Sequence, residues 1–188
     1  MKVQIDKAYP MPCSPEVAWE FLQNVEAVAG CMPGAKITER LDAGRYKGTV
    51  TVRIGPATMS FRGEVEMRDI DPAARSLRLL GKGTDSTGSS GASMEMTARI
   101  DAAEGNLCTL AGASEVSMSG KAAAFGGRMM NTVADTVLKQ FAGNFAAQVS
   151  ALQAQRAVPA AAGELNGVVL AWTILKDWLR GLWSRKSA

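Results

Sequence analysis

The sequence predicts an α+β fold: a strongly curved, seven-stranded antiparallel sheet closing around one long C-terminal helix, with an amphipathic helix beyond it. Three observations predict it. From Ala35 to Met118 apolar and polar residues alternate with period two. From about Lys121 to Gln153 the apolar residues recur at helical spacing instead. Short runs of Gly, Ser, Pro and Asp cut the alternating region into segments that hairpins can join.

In chain order, KVQIDKAY places Val3 and Ile5 on one face of a first strand. CSPEVAWEFLQN opens a helix: Ser14 suits the N-cap, Pro15 the first helical position and Glu16 the first turn. Val17, Phe21 and Leu22 form its inner stripe. VEAVAGCMPG is a second short helix stopped by Pro33-Gly34. Six strands follow, and in them the charged residues share one face. The other face carries Val50, Val52, Ile54, Met59, Phe61, Val65, Met67, Leu77, Leu79, Met94, Met96, Ile100, Val116 and Met118. The long helix brings Phe125, Met129, Val133, Val137, Phe141 and Phe145, each four residues from the last. Some thirty helical residues span roughly 45 Å, enough to cross the mouth of a curved sheet.

Composition narrows the chemistry. The 188 residues are 47% hydrophobic, so a sizeable core is available, and they include 10 methionines but no histidine. The usual general base, proton shuttle and zinc ligand are therefore missing. The three cysteines, Cys13, Cys31 and Cys108, show no CxxC spacing and read as reduced thiols. MKVQIDKAYP lacks the apolar core of a signal peptide, and the expectation is a cytoplasmic protein. A net charge of +3 gives no case for nucleic acid.

An apolar interior with no acid–base groups either fills itself or holds an apolar ligand. A curved sheet and a straight helix do not pack uniformly, and Gly48, Gly63, Ala98 and the Ala122–Ala124 run are small residues that leave volume. The expected hydrophobic small-molecule site is lined by Tyr46, Val50, Val52, Met59, Phe61, Met67, Met94, Met96, Met118, Phe125, Met129, Val133 and Phe141. Tyr46, Thr109, Ser114 and Asn131 are candidate polar anchors. The rival reading is that these side chains only pack against one another.

The chain ends in a different signal. Residues 1–154 read as the ligand-binding domain, 155–165 as an Ala/Pro/Gly linker and 166–188 as an amphipathic tail. On a helical wheel Trp172, Leu175, Trp178, Leu179, Leu182 and Trp183 share a face, with Lys176 and Arg180 opposite. From Glu164 to the end the chain holds +2 of the net +3, and the tail's uninterrupted apolar run is far short of the ~20 residues that span a bilayer. Tryptophans with basic residues across the wheel suit a helix lying in a membrane interface. A groove on a partner, or the chain's own domain, are the other surfaces that fit it.

The Gly-Cys-x-Pro-Gly corner (Gly30, Cys31, Pro33, Gly34) and the Val-x-x-Gly-Pro turn (Val52, Gly55, Pro56) together resemble the carbon monoxide dehydrogenase G-subunit family, within the START-like, SRPBCC helix-grip superfamily. The resemblance covers residues 1 to about 152 and extends to the hydrophobic basic tail. It implies no catalysis by this chain. It implies a partner, a molybdenum-containing hydroxylase of the CO dehydrogenase type, brought to the inner face of the cytoplasmic membrane. It also implies no tightly bound cofactor but a carried quinone, menaquinone or ubiquinone. Cys31 has no histidine to activate it and no companion with which to hold a metal. Pro33-Gly34 turns the chain, and the resemblance places Cys31, Met32, Pro33 and Gly34 at the cavity entrance, against the rival reading of a plain corner. Two further readings stand beside this one: a START-like cyclase or hydrolase acting on a hydrophobic substrate, and a membrane scaffold with no ligand.

Overall fold

The computed structural model describes residues 1–157, and Met1–Gln153 form one compact unit. The elements are β1 (Lys2–Met11), α1 (Pro15–Leu22), α2 (Val25–Cys31), β2 (Ala35–Arg40), β3 (Arg45–Ile54), β4 (Ala57–Asp71), β5 (Ser76–Asp85), β6 (Ser90–Ala103), β7 (Leu107–Gly120) and α3 (Gly126–Ala157). The strands form one seven-stranded sheet in the order β1-β7-β6-β5-β4-β3-β2, and every pairing is antiparallel. Hairpins join β2 through β7, and β1 returns beside β7 as an edge.

The short helices start where their capping residues direct. The Ser14 hydroxyl accepts the Val17 N–H at 3.4 Å, with Pro15 following at the first helical position. The Asn24 side chain accepts the Ala27 N–H at 3.1 Å at the start of α2. Val17, Phe21 and Leu22 are buried as the stripe requires. The long helix begins later than its pattern suggests. Lys121–Phe125 form a tighter 3-10 turn, and α-helical geometry starts only after Gly126, whose φ of 77° no α-helix contains. A Gly-Gly pair resists helix nucleation, so the break falls at Gly126-Gly127. At its other end the helix runs through 155–157, the first residues of the stretch read as linker. The remainder of that linker and the 166–188 tail, including Trp172, Leu175, Lys176, Trp178, Leu179, Arg180, Leu182 and Trp183, lie outside the described residues.

Curvature is visible in who meets whom. Val3 on β1 and Ile54 on β3 stand near opposite ends of the strand order, yet they share one buried cluster with Met130 of α3. Only a sheet wrapped around the helix brings them together. The bend has a local cause. Gly48, Gly63 and Gly83 are register partners across β3, β4 and β5, and a Cβ on Gly63 would run into the Lys82 carbonyl and the Gly83 Cα. The main chains touch there. Gly48 and Gly63 therefore do not leave volume, as their small size suggests; the neighbouring backbone occupies the place of their side chains.

A larger buried cluster lies toward the C-terminal end of α3. Ala142, Phe145 and Val149, spaced along one helical face, meet Val17, Ala18, Trp19, Phe21 and Leu22 of α1 and Leu77, Ala98, Ile100 and Leu110 of the sheet. Phe21 and Phe145 stack edge to face with centroids 5.0 Å apart.

Candidate functional site: the space between sheet and helix

The strand register fixes which residues face α3. One row runs Tyr46, Val65, Gly81, Met94, Val116, Val3, and the next runs Met67, Leu79, Met96, Ser114, Ile5. The predicted inward alternation is therefore the observed inner face. Buried clusters hold its two ends, but along the middle Val65, Met67, Leu79, Met94, Met96 and Val116 are all only partly buried. These apolar side chains on the inner face keep some accessible surface, so the middle of the face is less closely covered than its ends, and this stretch is the candidate hollow between sheet and helix.

The thirteen lining candidates divide among three places. Met67, Met96 and Phe141 pack against the large cluster. Val52, Met59, Met118, Phe125 and Val133 pack against the smaller one around Val3, Ile54 and Met130. Tyr46, Val50, Phe61, Met94 and Met129 belong to neither. Tyr46 is buried beneath Arg40, whose guanidinium lies 5.7 Å from the ring centroid. Val50 and Met129 are 39% and 40% exposed, so they stand at a rim instead of lining an interior. Of the anchors, Ser114 faces the hollow. Thr109 does not, because it alternates with the buried Cys108 and Leu110 and so points to the outer face. Asn131 is exposed on the helix beside the buried Met130.

The inner face is not wholly free of ionisable groups. Arg40, Lys7 and Asp85 occupy inward register positions, and each is engaged at the margin. A register shift between Ile37 and Glu39 turns Arg40 over Tyr46. Lys7 Nζ meets Asp135 of α3 at 2.8 Å, both partly in solvent. Asp85 is buried and accepts the Ser90 N–H at 2.6 Å and the Thr87 hydroxyl at 2.5 Å. The Thr87 hydroxyl, helped by the Ser90 and Thr87 N–H groups, holds the Asp85 carboxyl below its ordinary value. The Ser90 hydroxyl then accepts the Ala122 N–H at 3.0 Å, tying the β5–β6 turn to the segment before α3.

The corner from Cys31 to Gly34 is fixed from two sides. The Cys31 carbonyl accepts the Asn144 side-chain N–H at 2.9 Å, and the Gly34 carbonyl accepts the Thr51 N–H at 2.9 Å. Gly34 has φ 76°, and a Cβ there would strike the Thr51 carbonyl, so the corner requires glycine. It is thus tied to α3 on one side and to β3 on the other, with Met32 and Pro33 partly buried between the two attachments. Nothing in the sequence singles out Asn144; an exposed Asn on a long helix carries no signal until the corner is seen beneath it. Cys31 is buried, and burial raises its thiol pKa, which disfavours a thiolate nucleophile. Cys13 and Cys108 are free buried thiols 3.9 Å apart, and burial pushes Cys108 up to about 12.

Three clefts open elsewhere. One of about 420 Å³ lies between α2 and β2, at Glu26, Gly30 and Ala35–Arg40. One of about 490 Å³ lies beside the β4–β5 turn. One of about 580 Å³ crosses β4 to β7, among the outward-facing Arg62, Glu64, Lys82, Thr84, Ser93 and Ser117. None is lined by Val65, Met94 or Met96. Among the described residues no three His, Cys, Asp or Glu side chains gather to hold a metal, and no helix is long and apolar enough to cross a membrane.

Comparison with known proteins places this geometry. The sequence model of one family, CoxG, the G-subunit of carbon monoxide dehydrogenase, matches residues 10–150. No curated protein matches the chain. Among solved structures, a conserved protein from Geobacillus kaustophilus is similar at 20% identity and TM-score 0.70, over 80% of this chain and 95% of that one. The ZhuI aromatase/cyclase from Streptomyces sp. R1128 is similar at 14% identity and TM-score 0.59, over 86% and 99%. A START superfamily protein from Mycobacterium smegmatis follows at 17% identity and TM-score 0.55, over 79% and 98%. These likenesses speak to the fold: a START-like helix-grip arrangement, as the alternation and the long helix require.

Proposed function

The chain belongs to the CoxG family of carbon monoxide dehydrogenase, and from that premise we propose that it is a noncatalytic accessory protein that carries a hydrophobic molecule in the hollow between sheet and helix. The observation that supports this reading most is the middle of the inner face, where Val65, Met67, Met94 and Met96 face α3 without being buried. Thioethers and aliphatic chains present no strong hydrogen-bonding group to a ligand, so such a lining suits a flexible hydrocarbon. A prenylated quinone, menaquinone or ubiquinone, is the ligand this chemistry and the family name together favour. The partner is then a molybdenum-containing CO dehydrogenase-type enzyme, which reduces the quinone. The tryptophan-rich basic tail holds the pair on the inner face of the cytoplasmic membrane.

An aromatase/cyclase has this fold, yet a cyclase reading gains little support from the side chains. The ionisable groups on inward positions, Lys7, Arg40 and Asp85, are each occupied by a partner at the margin of the hollow.

The test is direct. The full chain, purified from a quinone-producing host and extracted with organic solvent, is expected to yield a prenylated quinone by mass spectrometry. A clean extract would leave the scaffold reading in its place. Recruitment is tested by floating vesicles with the partner enzyme present; an enzyme that stays in the soluble fraction whether or not the chain is added sinks that half of the proposal.

A further inference from the structure

The two ends of the strands differ in charge: at one, acids and bases stand together as ion pairs, and at the other, bases stand without them. The β2–β3, β4–β5 and β6–β7 turns lie at one end, and around them stand Asp42, Asp69, Asp71, Asp101 and Glu104. The β3–β4 turn, the β5–β6 turn and the start of α3 lie at the other. There the sequence holds no acidic residue from Ala43 to Gly63 or from Val116 to Ala134. Asp85, the acid of the β5–β6 turn, is buried and bonded within that turn. Arg53, Lys121 and Arg128 stand at this end, and Arg62 and Lys82 flank it. None of these five has an ion-pair partner among the described residues, while Arg45, Arg68, Arg78 and Arg99 elsewhere on the sheet each do.

The same end exposes oily side chains. Met129, 40% exposed, reaches toward the Gly55 turn, about 4.0 Å from where a Cβ would stand. Gly55 and Pro56 are exposed at the turn's tip, and Val50, 39% exposed, lies on the same strand just behind it. Unpartnered cations around protruding apolar side chains are the chemistry that an anionic bilayer surface satisfies: headgroups take the charges and the acyl boundary takes the apolar tips.

We propose that this end of the folded domain, centred on the β3–β4 turn and Met129, docks on an anionic lipid surface. The proposal rests on the membrane part of the reading above. It adds that the domain itself meets lipid, with Val50 and Met129 at the rim of the hollow facing the bilayer. A hydrophobic ligand would then pass between lipid and hollow without crossing water.

The experiment uses the full chain with an environment-sensitive fluorophore at Pro56→Cys or, as the control at the acidic end, at Ala73→Cys. The three native thiols are buried, so labelling goes to the introduced one. On phosphatidylcholine vesicles containing phosphatidylglycerol and brominated acyl chains, the probe at 56 is expected to be quenched and the probe at 73 not. A chain that binds these vesicles with both probes alike, or with 56 unquenched, overturns the proposal and leaves tail-mediated attachment standing. A chain that does not bind them overturns the membrane reading as well. A probe at 56 that responds to added partner enzyme and not to vesicles makes this face a protein-docking surface and overturns the proposal. In a second measurement, Arg53→Gln with Arg128→Gln is expected to weaken binding to the anionic vesicles about 25-fold, at about fivefold per charge, and to leave neutral vesicles unaffected. Unchanged binding to anionic vesicles would count against the proposal equally.

Discussion

The two halves of α3 do different work. From Ala142 to Val149 the helix is locked: Phe145 and Val149 have no exposed surface, and α1 and buried residues of the sheet close around them. From Gly126 to Phe141 only Met130 is buried, and the sheet opposite keeps its methionines and valines partly uncovered. One continuous helix thus serves as a core element at one end and as the wall of a hollow at the other. If the proposed ligand sits against the less buried half, stability and binding belong to different turns of the same helix and should respond to different substitutions.

The largest effect should come from the locked half. Phe145→Ala removes a ring buried against Phe21 and Phe141, and is expected to cost ~3–5 kcal/mol in denaturant unfolding. A loss below 1 kcal/mol would mean that the two halves are not distinct. Gly63→Ala is next: the new Cβ has no room beside Lys82 and Gly83, and the expected loss is ~1–3 kcal/mol. If the variant is as stable as the parent, the bend does not depend on close main-chain approach. Asn144→Ala frees the Cys31 carbonyl and should cost about 1 kcal/mol, with faster hydrogen exchange at Cys31–Ala35 as the readout that places the loss. The smallest stability effect belongs to the hollow. Met94→Ala should cost less than about 1 kcal/mol, since the side chain is only partly buried, yet it should weaken retention of a prenylated quinone. A large fall in stability with retention intact would reverse the comparison.

Acid sharpens the contrast from another side. The folded Asp85 carboxyl lies below its ordinary value of 3.8, so its contribution is present above that pH and is lost as pH falls toward the folded value. Melting temperature should therefore drop below about pH 4, and Asp85→Asn should flatten that part of the profile. An unchanged slope in the variant would show that the β5–β6 turn is held by other means.

Most of the architecture is legible in the sequence because each level of the chain agrees with the next. The alternation that sets the inward face, the Ser14 cap and the helical spacing after the last strand all reappear in the fold. What escapes are features that depend on two distant segments at once. Thr109 reads as an anchor because it is polar among apolar neighbours, and only its register against Asp101 and Pro10 shows it facing out. Gly48 and Gly63 look like space because a glycine in a strand says only that something comes close, not what. Val50 and Met129 carry the same periodic signal as their buried neighbours, but they fall where the sheet and helix diverge. Asn144 acquires its role from a corner more than a hundred residues earlier, at a sequence separation of 113.

The crease at Gly48, Gly63 and Gly83 is formed by main chain against main chain, in strands joined by their own hydrogen bonds. Its shape is set before any side chain of the inner face is counted. A vessel moulded in this way would keep its form when drained, so the cargo proposed above could come and go without the protein refolding around each load.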